Sequence, residues 1–238
     1  MSSSDASSAV PLREASKGTC PARPYGRSVG EEFFARPADK VAAELVGKIL
    51  WRDGVGGGWL TEVEAYLPSD DPACHAFRGP TARNRSMFGP PGHMYVYLSY
   101  GIHVLLNLVC DHEGVGAAVL VRSFEPLGDS SGLWENRITA SRAGHRESAV
   151  ESGGELPLRP GCLLSCGPGR VGQALGLSLD HDGLPLGDET GLRVIDDGRI
   201  PCVQVDSRIG LSKGSELPLR FLAADSRYVS RRSKRTGV

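Results

Sequence analysis

The most reactive stretch of the 238-residue chain is Thr61-Glu62-Val63-Glu64-Ala65-Tyr66. Read as a β-strand, its period of two sends Glu62, Glu64 and Tyr66 to one face and Val63 and Ala65 to the other. Two carboxylates beside a phenol can form a solvated outer face. They can equally build a site in which one carboxylate takes a proton from water while the ring supports a flat substrate. Asp70, Asp71 and His75 follow at once, and with the glutamates they supply donors enough for a divalent metal. Spacing alone leaves all three readings open.

Arg78, Arg83 and Arg85 come next, on a turn-forming loop that is either simply solvated or in contact with phosphates. Gly89-Pro90-Pro91-Gly92 then leads into His93-Met94-Tyr95-Val96-Tyr97-Leu98-Ser99-Tyr100-Gly101. Tyr95 and Tyr97 share a strand face, which by itself is the usual sign of core packing. Tyr100 is different, because it falls where two apolar strands must reverse direction. A large ring beside glycine at a hairpin tip is badly placed for a core and well placed to be pushed between base pairs.

The elements that must position these residues follow from periodicity. Asp39 reads as the N-cap of a helix with Val41 and Leu45 on one face and Gly47 near its stop. Lys48–Arg52 and Trp59–Leu67 read as a hairpin, and His93–Ser99, Ile102–Cys110 and Ala117–Phe124 as three further strands. From Gly128 to Leu164 the chain is polar and irregular apart from a helical pattern near Leu133–Ala143. A short helix follows Pro168, with strands at Leu192–Ile195 and Pro201–Val205. Strands that cluster in hairpins indicate an α+β fold with an antiparallel sheet.

Composition narrows the classes. The chain is 40% hydrophobic and 23% charged, enough for one sizeable core. No apolar run approaches the ~20 residues that span a bilayer, and no signal-peptide core precedes the fold, so a soluble intracellular protein is expected. A net charge of −1 does not advertise nucleic-acid binding, although a local basic surface suffices for it. The six cysteines include no CxxC pair and read as inert thiols. Lysine is absent between Lys48 and Lys213.

Taken together, the motifs resemble the alkyladenine (3-methyladenine) DNA glycosylase family. The resemblance is carried by Glu64-Ala65-Tyr66, Asp70 with His75, Thr81-x-Arg83-Asn84, Met87-Phe88-x-x-Pro91-Gly92, Tyr95-Val96-Tyr97-x-x-Tyr100-Gly101, Asn107 and Val119-Leu120-x-Arg122-x-x-Glu125-Pro126. Gly167-Pro168-Gly169, Gln173-Ala174-Leu175, Arg208-Ile209-Gly210 and Pro218-Leu219-Arg220-Phe221 continue it, so that it runs from about Arg36 to Ser230. Two departures stand out: the Gly128–Leu164 stretch is longer and more polar than the family's, and Cys74 replaces a small residue.

The resemblance implies a single compact domain around a curved, mostly antiparallel sheet with flanking helices. Residues 28–230 would form the glycosylase domain; residues 1–27, serine-rich and without periodicity, read as a flexible tail, and residues 231–238 as a basic tail. It implies a monofunctional enzyme of base excision repair that flips alkylated or deaminated purines from duplex DNA and hydrolyses the N-glycosidic bond. The residue matching Glu64 activates water and Arg122 helps to hold it. The base stacks on Tyr66 against His75 and Tyr97, Asn107 lies near C2 of the purine, and Tyr100 intercalates. Arg78, Arg83, Arg85, Arg208, Lys213 and Arg220 are the candidate contacts to the DNA backbone.

No cofactor or metal is implied, the partner is double-stranded DNA with damaged purines, no membrane is involved, and a monomer is expected, in the cytoplasm or nucleoid of a bacterium or the nucleus of a eukaryote. The missing lysines agree with hydrolysis alone, since glycosylase/lyases use an amine nucleophile. Two rivals remain: a metal-dependent hydrolase built on Glu62, Glu64, Asp70, Asp71 and His75, and a catalytically silent DNA-binding module, against which an intact Glu64 argues.

Overall fold

Runs of alternating apolar residues fill the middle of the chain, and in the computed structural model most of them are strands of one sheet. The structure describes residues 22–143 and 162–230. Most of the proposed N-terminal tail, the basic residues 231–238 and the second half of the polar 128–164 stretch lie outside the described residues. Arg27, placed in that tail by composition, already belongs to a strand.

In chain order the elements are β1 (Arg27–Ser28), α1 (Glu31–Phe34), α2 (Ala38–Leu45), β2 (Ile49–Arg52), β3 (Gly56–Tyr66), β4 (Met94–Ser99), β5 (His103–Cys110) and β6 (Ala117–Pro126). There follow α3 (Ser131–Ala143), α4 (Cys162–Ser165), α5 (Pro168–Ala174), β7 (Leu192–Asp196), β8 (Val203–Asp206) and β9 (Arg220–Ala223). All pairings are antiparallel, in the order β1-β7-β2-β3-β6-β5-β4. β9 pairs with both β8 and the second half of β3. The sheet curls, and the expected α+β architecture is the one observed.

Period two then sorts the side chains. Met94 and Val96, Leu106 and Leu108, Val119 and Val121, and Val63 and Ala65 enter the main core, which α2 and α5 cover with Val41, Leu45, Val171 and Ala174. On the opposite face Tyr95, Val109 and Ala118 pack with Cys74, Ala76 and Met87, and Tyr66 and Tyr97 lie at the edge of that cluster. One irregularity decides which face carries the acids. The register of β3 on β6 shifts on both sides of Glu62, where Leu60 faces Phe124, Glu62 faces Ser123 and Val63 faces Val121. Unbroken alternation from the buried Leu60 would have driven Glu62 and Glu64 into the apolar core. The bulge turns them and Arg122 to the other face.

Two local expectations are corrected. Helix α2 starts after Pro37, which fixes the entry geometry without a side-chain cap. Asp39 lies inside the first turn, where its charge suits the positive end of the helix dipole. Cys162 and Cys166 are joined in a disulfide across α4, with Cα atoms 4.8 Å apart, so these two are not inert thiols. A spacing of four residues on one helical turn brings the two together as no CxxC search would reveal. Cys74 and Cys110 are free and buried, and burial raises the Cys74 thiol to about 11.

Candidate active site

Glu62 and Glu64 are both wholly buried, yet they do different work. Glu62 is saturated. Its Oε1 accepts from Arg122 Nε (2.8 Å), Arg220 Nε (2.8 Å) and Ser230 Oγ (2.8 Å), and its Oε2 from Ser230 N (2.5 Å) and Ser123 Oγ (3.3 Å). Burial alone would raise this carboxyl. The two guanidiniums and Ser230 outweigh it and hold the group below the usual carboxylate range.

Glu64 accepts hydrogen bonds from Ile209 N at 2.8 Å and from the Tyr66 hydroxyl at 3.1 Å, and forms an ion pair with Arg122 Nη1 at 3.2 Å. Those three partners all line a cleft of about 590 Å³, so Glu64 lies immediately under its floor. A carboxylate offers about four lone-pair positions, and hydrogen bonds take two.

Arg122, set at the bulge, spans both acids and donates its Nη2 to Ser230 Oγ at 3.1 Å. Burial lowers its basicity and the two carboxylates more than restore it, leaving it firmly cationic. Tyr66, His75, Tyr97, Asn107 and Tyr100 line the same cleft, which gathers residues spread over half the sequence.

The aromatic wall is ordered by one contact that sequence reasoning missed. His75 Nδ1 and the Tyr95 hydroxyl are 2.8 Å apart, and Tyr95, on β4 beside Tyr97, stacks on it with centroids 5.3 Å apart. The His75 and Tyr97 rings meet edge to face at 4.8 Å. Partial desolvation, reinforced by the nearby Arg83 cation, lowers the His75 pKa, so the ring stays neutral to a lower pH than a free histidine. Burial raises the Tyr66 and Tyr97 phenols, so they stay protonated. Asn84 ties the His75 loop: its Nδ2 donates to the His75 and Gly79 carbonyls and its Oδ1 accepts from Thr81.

Asn107 is buried and donates Nδ2 to the Tyr95 carbonyl at 3.0 Å. Tyr100 and Gly101 form the β4–β5 turn, both with positive φ (50° and 74°), closed by Ile102 N to Ser99 O at 3.1 Å. Positive φ at both central positions is the type I′ hairpin geometry, uncommon for a bulky residue. Tyr100 is 91% exposed.

The basic residues divide. Arg78, Arg83, Arg85 and Lys213 are exposed, with Arg83 on the cleft. Arg208 and Arg220 are corrected: both are buried and pair with Asp71, and with Glu62 and Asp206, so their guanidiniums are turned away from any backbone phosphate. Of the acids a metal site would recruit, Glu62 and Asp71 are thereby committed to arginines, and among the described residues no three His, Cys, Asp and Glu side chains group as a metal requires.

A model of the methylpurine-DNA glycosylase family matches residues 32–227. The chain belongs to that family. It is 46% identical over 201 residues to a Rhizobium meliloti protein named "Putative 3-methyladenine DNA glycosylase", an alignment covering 84% of this chain and 95% of the relative. Proteins of the same name from Burkholderia lata (40%, covering 86% and 92%) and Rhodopseudomonas palustris (42%, covering 91% and 93%) are similar over comparable lengths. The glycosylase is thus a hydrolase of N-glycosyl bonds whose substrate is DNA and whose role is DNA repair. Among its described residues no helix is long and apolar enough to cross a membrane.

Proposed function

We propose that this glycosylase excises alkylated or deaminated purines of the 3-methyladenine, 7-methylguanine and hypoxanthine type, as a monomer, by flipping the nucleotide into the cleft. The base stacks on Tyr66 and against His75 and Tyr97, a lining suited to flat, electron-poor rings. A neutral His75 adds no like charge against a cationic base. Tyr100 fills the gap left in the duplex, while Arg78, Arg83, Arg85 and Lys213 hold the phosphates.

The observation that carries the reading is Glu64. It is a buried carboxylate with two hydrogen bonds and one ion pair, so it keeps acceptor capacity for a water, and its three partners line the cleft. The Arg122 contact is the longest of the three. A water taking its place would be held by Arg122 and deprotonated by Glu64 as it attacks C1′. For an alkylated purine, already cationic and ready to leave, one carboxylate suffices and the two-carboxylate arrangement of glycosidases is unnecessary, whereas a neutral purine such as hypoxanthine must also take up a proton as it leaves. Among the described residues no lysine lines the cleft, which agrees with hydrolysis rather than Schiff-base chemistry. Asn107, beneath the C2 edge, would reject the 2-amino group of guanine.

Glu64→Gln tests the assignment, since the amide keeps the shape and removes the proton acceptor. We expect base release from single-lesion duplexes to fall by on the order of 10²–10⁴, with lesion binding retained and no response to EDTA in the wild type. Excision by the variant within about threefold of wild type would be too small a loss for a general base and would refute the mechanism.

A further inference from the structure

Against the Tyr66 ring lies an ion pair that neither the general base nor the base sandwich uses. Asp71 and Arg208 are fully buried, with side-chain exposures of 0% each. They join by two prongs, Nη1 to Oδ2 and Nη2 to Oδ1, both 2.6 Å. Nη1 also donates to the Ala65 carbonyl (3.0 Å) and Nη2 to that of Gly214 (3.2 Å). Gly214 has φ +59°, and a Cβ there would come within 3.3 Å of both Arg208 Nη2 and Asp71 Oδ1. Burying such a pair costs desolvation, and well-packed apolar side chains would often stabilise the fold as well or better.

The pair's contacts run to the site from three directions. The Arg208 guanidinium carbon is 4.6 Å from the centroid of the Tyr66 ring. Ile209, next in sequence, donates its N–H to Glu64. Asp71 accepts from Leu67 N and Ala73 N, and its carbonyl accepts from Cys74 N, one residue before His75.

We propose that Arg208, clamped by Asp71, is a positioning residue of the glycosylase reaction. It fixes the Tyr66 ring from behind and, through Ile209, the aim of Glu64, so that base capture and water activation depend on one buried pair. The Asp71 charge has its own part: it cancels the guanidinium and leaves the outer face of Tyr66 free to attract a cationic purine. The inference rests on the reading of Tyr66 as the base platform and Glu64 as the general base.

The test uses the full chain and duplexes of one sequence carrying either 7-methylguanine, which is cationic, or hypoxanthine, which is neutral. Single-turnover rates and lesion affinities are measured for wild type, Arg208→Lys, Tyr66→Leu, their combination, and Asp71→Asn, each checked by thermal melt. A lysine can meet Asp71 but cannot lie flat behind the ring or fork to it. We expect Arg208→Lys to lower the saturated rate by on the order of 30- to 100-fold, more than it weakens affinity. Adding it to Tyr66→Leu should cost clearly less than the product of the two single losses, because part of the Arg208 effect runs through the same ring and only the rest through Ile209 and Glu64.

Asp71→Asn should lower the ratio of 7-methylguanine to hypoxanthine excision by about 3- to 10-fold, read as affinities on a Glu64→Gln background if the rates are too slow. A merely structural pair would move neither the ratio nor the non-additivity. Losses that multiply in the double variant, or a ratio untouched by Asp71→Asn, overturn the proposal. If Tyr66→Leu excises at the wild-type rate, the platform reading falls and takes the inference with it. Should Arg208→Lys not fold, Asp71→Asn combined with Tyr66→Leu runs the same cycle.

Discussion

Around the cleft floor the buried charges have partners inside the chain, whereas the hairpin that overhangs the floor touches almost nothing. Glu62, Glu64, Asp71, Arg122, Arg208 and Arg220 are all 7% exposed or less and joined in pairs or triads. At the β4–β5 tip Tyr100 is 91% exposed and Ile102 69%, in a turn closed by one backbone hydrogen bond. The floor is thus held by contacts within the chain, while the tip holds an exposed aromatic residue at positive φ. Substitutions in the two regions should therefore fail in different ways.

The floor predicts the largest effect. Glu62→Gln removes the carboxylate that Arg122 and Arg220 share, leaving them Glu64 and Asp206, and should cost about 3–5 kcal/mol of stability, measured by denaturant unfolding. Because the folded-state pKa of Glu62 is depressed, its contribution is present above the unfolded carboxylate value of about 4.3 and is lost as pH falls through the folded value. The gap between wild type and variant should therefore narrow in acid. A constant gap down to pH 3 would mean that the charge is irrelevant and only packing was lost.

At the tip, Tyr100→Ala should leave the melt unchanged and weaken flipping. Unstacking a base costs a few kcal/mol, so excision should suffer more when the lesion is well paired than when it is mispaired. Equal losses on both duplexes would return Tyr100 to ordinary surface.

Asn107 lies between the two regimes: it is buried like the floor but held by a single side-chain hydrogen bond that the structure shows. Asn107→Ser should shift guanine against hypoxanthine selectivity by roughly 1–3 kcal/mol, with guanine excision from mismatches rising. A lower melt with an unchanged ratio of rates would make it a sheet asparagine and nothing more.

Much of this was legible in the sequence because strands write their faces in alternate residues. Glu62, Glu64 and Tyr66 could be placed on one face because they alternate along β3, although its register on β6 shifts on both sides of Glu62. The β4 and β5 strands and the exposed tyrosine at their turn were legible for the same reason. Tyr95 shows the limit of the method: facing the same way as Tyr97, it looks like core, and only its hydroxyl on His75 makes it part of the site. Arg208 and Arg220 read as surface charges because their carboxylates come from Asp71 and Glu62, more than a hundred residues away. No local pattern carries a pairing of that range. The short strands β1 and β9 have too few residues for a period to show.

Ser230 closes the Glu62–Arg122 pair although it lies 108 residues beyond Arg122. A chain emerging from the ribosome makes the β3–β6 floor early and must then wait for that serine. At 5–20 residues per second the delay is about 5 to 20 s. Throughout it the nascent polypeptide carries Glu62, Arg122 and their direct bond, but neither β9 with Arg220 nor the hydroxyl that bonds both groups. The buried network around Glu62 is therefore complete only with the last stretch of the domain.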